Sequence, residues 1–265
     1  MNINYPDLEK LSKEIRHNIL RAILKSKASH IASAMSIVDI LTILYGAKYV
    51  NPENPQFFLS KGHAGIAVYS TLRAIDVINE DMFQTYYTNG SYLGGHISHK
   101  NVPGVSLSTG SLGGGIAVAN GVALANKING ITEKIYVIVG DGECEEGSIW
   151  ESVLFASHHK LKNIVVIVDR NGLQGCGTDK EIMDLDDIGG KFASFGWEVI
   201  ESDGHNFNQL KQALDFKTEK PKCIVANTTK GKGVKFMENN NLWHYKNVND
   251  DHYQIALNEL GLDDA

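Results

Sequence analysis

Two oxygen-bearing side chains, Asp141 and Asn171, each follow a short apolar run in a glycine-rich setting. Ile135 to Val139 leads into Gly140-Asp141-Gly142, and Ile164 to Val168 leads into Asp169-Arg170-Asn171-Gly172. The apolar runs read as buried parallel strands, and Ile149 to Leu161 between them reads as a helix. A strand-helix-strand passage of about thirty residues brings both side chains to the carboxyl ends of neighbouring strands, where open α/β sheets bind ligands. One carboxylate, one amide oxygen and a nearby loop carbonyl form a hard donor set. Such a set suits an octahedral Mg²⁺ that keeps phosphate oxygens in its shell. The glycines let a bulky anionic group approach the backbone. Either residue alone reads as an ordinary turn or cap. Together they read as a site for Mg²⁺-diphosphate.

The elements that must hold these residues come from the rest of the chain. Its 265 residues are 43% hydrophobic, enough for a full core, and the net charge of −6 argues against a nucleic-acid surface. No apolar run reaches the roughly 18 residues of a membrane span, and Met1 to Asp7 lacks the layout of a signal peptide. Cytoplasm is the expected compartment. Cys144, Cys176 and Cys223 are an odd number without CxxC spacing, so neither a disulfide framework nor a zinc site is expected. Leu8, Leu11, Ile15, Ile19 and Ile23 predict an amphipathic opening helix, and Ile37 to Tyr45 a second one capped by Ser36. Phe57 to Leu59 is a short apolar segment. Glycine-rich turns from Asn89 to Gly115 precede a small-residue helix over Ile116 to Ala125. Further on come Trp197 to Ile200, a helix near Asn208 to Leu214, and a strand over Cys223 to Ala226. This alternation predicts one α/β domain over residues 1–265, a central, mainly parallel sheet with helices on both faces.

The paired motif resembles that of thiamine diphosphate enzymes, GDG followed about thirty residues later by Asn. Other segments narrow the resemblance to transketolase: Ser29-His30, Leu59-Ser60-Lys61-Gly62-His63-Ala64, Gly95-His96, Ser108 to Gly115, and Lys230 to Asn239 leading to Trp243-His244. They follow the family order over nearly the whole chain. The resemblance implies the thiamine diphosphate-binding fold and the N-terminal subunit of a split transketolase. It implies that Mg²⁺ is held by Asp141, Asn171 and the carbonyl of Leu173. Gly142, His63 and His244 would contact the diphosphate. Gly110, Ser111 and Leu112 would face the aminopyrimidine, through backbone groups of Gly110 and Leu112. His30, His63, His96 and His244 would line the channel to the thiazolium carbon. His30 and His244 would handle protons, and His96 would bond substrate hydroxyls. Glu146 would join a carboxylate network between the two active sites of an assembled dimer.

In this family the cofactor carries the carbanion chemistry, and imidazoles of near-neutral pKa suit the proton transfers. The glutamate that activates the pyrimidine ring belongs to a second domain type, and nothing here corresponds to it. The expected partner is therefore a C-terminal subunit with the pyrimidine-binding domain, in an α2β2 assembly acting on sugars or sugar phosphates, without nucleic acid or membrane. Three departures cluster near the substrate channel: Ser29 to Ala34 replaces a Gly-His-Pro/Leu-Gly-like run, Ser111 stands where proline is common, and Tyr245-Lys246 follows His244. They point to a specialised carbohydrate pathway such as surface-sugar synthesis. Two competitors stand beside ketol transfer: decarboxylation of a 2-oxoacid with acyl transfer, and a cofactor-binding subunit without turnover. A dinucleotide loop at Thr109 to Gly115 lacks GxGxxG spacing, and no Gly-Lys-Ser/Thr supports a Walker A loop. Lys230 and Lys232 are assigned no role. His17, His99, His158, His159, His205 and His252 read as surface or satisfied core residues.

Overall fold

The computed structural model describes residues 5–262. Along the chain run α1 (Tyr5–Ser26), α2 (Ile31–Met35), α3 (Val38–Gly46), β1 (Phe57–Leu59), α4 (Gly65–Ala74), α5 (Glu80–Phe83) and α6 (Gly114–Ile128). Then come β2 (Ile135–Gly140), α7 (Gly147–His158), β3 (Ile164–Arg170), α8 (Asp179–Ile182), α9 (Ile188–Ser194), β4 (Glu198–Asp203), α10 (Phe207–Asp215), β5 (Lys222–Asn227) and α11 (Asp250–Leu260). The five strands form one sheet in the order β1-β2-β3-β5-β4, and every pairing is parallel.

Pleating explains the continuous apolar runs. Tyr136, Ile138, Val165, Ile167 and Ile224 point to a layer built mainly from α1, α3, α4 and α10. Val137, Val139, Val166, Val168 and Cys223 point to the layer of α6, α7 and α9. Neighbours in register, such as Val137, Val166 and Cys223, share a face. Each fully buried Val or Ile side chain contributes roughly 1.5–3 kcal/mol, so both layers are cores. Among the described residues no helix is long and apolar enough to cross a membrane.

The predicted elements are present with shifted ends. The helix expected over Ile116 to Ala125 starts at Gly114 and runs to Ile128, and the one expected to reach Leu161 stops at His158. Helix α4 escapes the periodicity reading because Gly65 to Leu72 are all buried, which leaves no polar stripe to reveal a period. Ser36 is a correction. It does not cap α3, whose N-cap is Ile37; its hydroxyl donates to Ser33 O and, at 2.7 Å, to the Asp169 carboxylate. An N-capping hydroxyl accepts from backbone N–H groups, whereas this one donates its proton to a buried carboxylate in a charge-assisted bond.

One buried ion pair ties the α1 layer to the loop that follows β5. Arg16 on α1 makes a bidentate bond to Asp39 on α3, at 2.9 and 2.7 Å, and its Nε donates to Lys232 O. His205 completes the group, with Nδ1 2.7 Å from Asp39 and Nε2 accepting from Thr229 N–H. Burial opposes the charge on Asp39, but Arg16 and His205 together outweigh it and hold the carboxyl down at about 2. Asp39→Ala leaves Arg16 buried without its counter-charge. The expected loss is about 3 kcal/mol or more in urea denaturation.

Candidate active site

The register of β2 on β3 sets the site. Gly140 pairs with Asp169, and one residue on, Asp141 N–H donates to Asp169 O at 3.2 Å. The chain then turns, and the Asp141 carboxylate reaches the loop after β3. Its Oδ2 accepts from Asn171 N–H at 2.7 Å and Gly172 N–H at 2.6 Å, while Oδ1 accepts from Gly142 N–H at 2.9 Å. Oδ1, with a single donor, keeps a lone pair for a cation. Burial, together with Asp169 and Asp179, raises the Asp141 carboxyl to about 7. No side-chain cation among the described residues bonds Asp141, so an external one fits. Among them, too, no group of three or more His, Cys, Asp or Glu could hold a metal ion. A cation here depends on amide and carbonyl oxygens as well as the one carboxylate.

Those oxygens are supplied by Asn171 and Leu173. Asn171 Nδ2 donates to the Asp169 carboxylate at 3.1 Å, which fixes the amide's orientation and leaves Oδ1 as the outward acceptor, 3.2 Å from Leu173 N–H. Asp169 is itself fully buried. Burial would raise its pKa, but Lys61, 2.5 Å away, holds it below the usual carboxylate range, with Thr228 and Ser36 also donating. Lys230, buried behind the loop, donates at 2.9 Å to both Leu173 O and Gln174 O. Burial lowers its ammonium to about 8, with Lys61 adding to the effect. Sequence reasoning missed Lys61, Asp169 and Lys230. A charged residue inside a quoted motif was the available signal; what it pairs with was not.

The four expected histidines converge on this floor. His30 is the hub, with ring centroids 5.3 Å from His63, 6.0 Å from His96 and 4.9 Å from His244. It sits in the left-handed region at φ 70°, a conformation that costs a non-glycine residue about 1–3 kcal/mol. Two bonds compensate: its N–H donates to His244 O at 2.8 Å, and its Nδ1 lies 2.9 Å from the Ser29 hydroxyl. His244 Nδ1 is buried and without a partner among the described residues. A cavity of about 470 Å³ is lined by all four rings together with Lys61, Gly110, Leu112, Asp141, Gly142, Asn171, Leu173 and Lys230. Ser111 and Glu146 are exposed and do not line it. His205, expected to be bland, is the satisfied member of the Arg16–Asp39 group.

Burial, reinforced by neighbouring rings and lysines, lowers His30 to about 4, His244 to about 3 and His63 to about 2. These rings are neutral at pH 7, so each can accept one hydrogen bond and donate one N–H without bringing a formal charge. The unfolded chain takes up protons near 6.5, whereas folded His30 resists them down to about 4. Between those values the unfolded state binds more protons, so this stability is present above 6.5 and is lost as pH falls toward 4. Asp141 acts in the opposite sense, since its raised value favours the fold as pH falls. His30→Asn keeps a residue that tolerates φ 70°. Urea denaturation between pH 6.5 and 4 is expected to show a flatter fall in stability for this variant than for the unmutated chain.

The comparisons with known proteins agree with this geometry. The chain is similar to an apulose-4-phosphate transketolase subunit of Actinobacillus succinogenes, 40% identical over 269 residues and 98% of each chain. It is also similar to the 6-deoxy-6-sulfo-D-fructose transketolase subunit SqwG of a Clostridium species, 33% identical over 264 residues and 96% of each chain. In three dimensions it resembles the transketolase of Campylobacter jejuni, with a TM-score of 0.89 and 28% identity. That likeness covers 99% of this chain but 44% of the other, so the chain spans less than half the length of that enzyme. The family described as "Transketolase, thiamine diphosphate binding domain" matches residues 8–265. Parallel strand tips, a histidine-lined cavity and this match together place the chain in the transketolase family, as a bearer of its thiamine diphosphate-binding domain.

Proposed function

We propose that this chain is the cofactor-binding subunit of a two-subunit transketolase, moving a two-carbon ketol unit from a ketose to an aldose. The observation that carries the proposal is the convergence of Asp141, Asn171, Leu173 and four histidines on one cavity. Mg²⁺ would be held by Asp141, Asn171 Oδ1 and the Leu173 carbonyl. The raised carboxyl of Asp141 and the oxygen-only donor set support that choice. Gly142, His63 and His244 would hold the diphosphate, with Gly110, Ser111 and Leu112 at the pyrimidine. When bound, thiamine diphosphate supplies the carbanion chemistry at its thiazolium ring.

The chain's own residues handle orientation and protons. His30, neutral at pH 7 and central among the rings, can donate an N–H to an oxygen on which charge develops and take a proton from a donor hydroxyl. His244, joined to His30 through its main-chain carbonyl, would share the proton handling. His96, the exposed member, would bond substrate hydroxyls. Glu146 occupies the N-cap position of α7 without a side-chain capping bond, outside the cavity, where it would join the carboxylate network of an assembled dimer.

The mouth of the cavity supports a partner. Ile182 and Tyr245 line the cavity, yet both are exposed, as are Met183 and Leu242 beside them in sequence. Relatives named as transketolase subunits match this chain over almost their whole length. The site would be completed by a C-terminal subunit carrying the pyrimidine-binding domain, in an α2β2 assembly in the cytoplasm. Residues 1–265 would form one diphosphate-binding domain.

The chain alone is expected to turn over little. Co-purified with its pyrimidine-domain partner, Mg²⁺ and thiamine diphosphate, it should consume a ketose only when an aldose acceptor is present. The panel should include ketose phosphates and a sulfonated ketose, given the substrates named for the relatives. Carbon dioxide release from pyruvate without ketose consumption would replace ketol transfer with 2-oxoacid decarboxylation; cofactor binding with neither reaction would mark a subunit without turnover. Asp141→Ala should abolish Mg²⁺-dependent cofactor binding in calorimetry. His30→Ala should leave binding near normal and slow turnover by about 10²-fold or more.

A further inference from the structure

Glu143 has no part in the scheme above, yet it is among the most constrained carboxylates in the molecule. It lies in the 3₁₀ turn Gly142–Glu145 directly after Asp141, is 3% exposed, and lines the cavity. Three segments converge on it. Its Oε1 accepts from the Ser60 hydroxyl at 2.5 Å and from Gly113 N–H at 2.7 Å, and its Oε2 accepts from Gly140 N–H at 3.0 Å. Burial raises its pKa, and the donors, with Lys61 at longer range, oppose that rise. The Lys61 ammonium itself is bonded to Asp169.

The two sides of this junction are not equally held without it. Gly140 belongs to β2 and is fixed by its pairing with Asp169. The segment Gly110 to Leu112 has no strand pairing. On its N-terminal side, Thr109 is anchored by N–H to Ile97 O at 3.3 Å and by its hydroxyl to Leu59 O at 2.6 Å. On its C-terminal side, Gly113 is anchored by Glu143. Among the described residues the only other bond on this segment is the turn bond from Gly114 N–H to Ser111 O. Gly113 is also the left-handed N-cap of α6, at φ 80°, and a Cβ there would strike the Ser148 hydroxyl. Its N–H can therefore be aimed at Glu143 only from this backbone.

We infer that Glu143 is a positioning residue: it sets the distance between the loop that faces the pyrimidine ring and the strand tips that face the diphosphate. The inference rests on the cofactor reading above. A ligand that spans both regions gains affinity because its second end binds at high effective concentration, and that gain exists only while the two regions are held in register. Loosening the junction should weaken the whole cofactor while leaving its diphosphate end alone. A residue that merely stabilises the fold would weaken both together.

The test is Glu143→Gln in the chain assembled with its partner subunit. This change keeps the shape but turns one acceptor oxygen into an NH₂ facing N–H donors. Two ligands are titrated calorimetrically in the presence of Mg²⁺, thiamine diphosphate and inorganic pyrophosphate. The expected result is thiamine diphosphate weakened by about tenfold or more with pyrophosphate within about twofold of the unmutated complex. Equal weakening of both ligands, or of neither, overturns the inference. Should Glu143→Gln fail to assemble, Ser60→Ala removes one donor only and must show the same imbalance at about threefold. An unmutated complex that binds pyrophosphate but not thiamine diphosphate overturns the cofactor reading, and this inference with it.

Discussion

The in-register parallel pairing of β2 with β3 is the constraint on which the site depends. Because Gly140 lies opposite Asp169, the next residue on β2 delivers a carboxylate to the backbone N–H groups that begin the loop after β3. A slip of one residue would turn Asp141 toward the other face of the sheet and lose these bonds. Burial of alternate residues in two separate cores makes such a slip costly, since it would exchange the contents of the layers. The precision of the polar tip is thus enforced by apolar packing beneath it.

Above that tip, two aspartates of similar burial are held in opposite states. Asp169 is ionised by Lys61 and three further side-chain donors, whereas Asp141 has only backbone N–H groups and is pushed toward protonation. The difference assigns their work. Asp169 is saturated and acts as a fixed post that orients Asn171, while Asp141 keeps unspent capacity for a positive charge. The imidazoles of His30, His63 and His244 are kept neutral by burial, so they add donors and acceptors without competing for that capacity.

Much of this is legible in the sequence. Strands β2 and β3, the glycine-framed Asp141 and Asn171, and the histidines at 30, 63, 96 and 244 carry local signals, namely period, turn chemistry and motif order. What cannot be read lies in long-range pairing. Ser36 resembles a helix cap because its neighbours are helical, but its partner is Asp169, far along the chain. The motif around Lys230 assigns it no role, and only its bond to the Leu173 carbonyl reveals its part. Glu143 is one acid in an acidic run, Glu143 to Glu146, yet only its side chain turns inward to collect three donors.

The main-chain bond from His30 to His244 joins residues near opposite ends of the described chain. During synthesis the N-terminal helices and the first strands must leave the ribosome long before His244 exists. The pocket cannot close until almost the whole polypeptide has emerged, and closing contacts so distant in sequence is slow. A nascent chain would therefore carry an unfinished cluster of imidazoles through most of its translation.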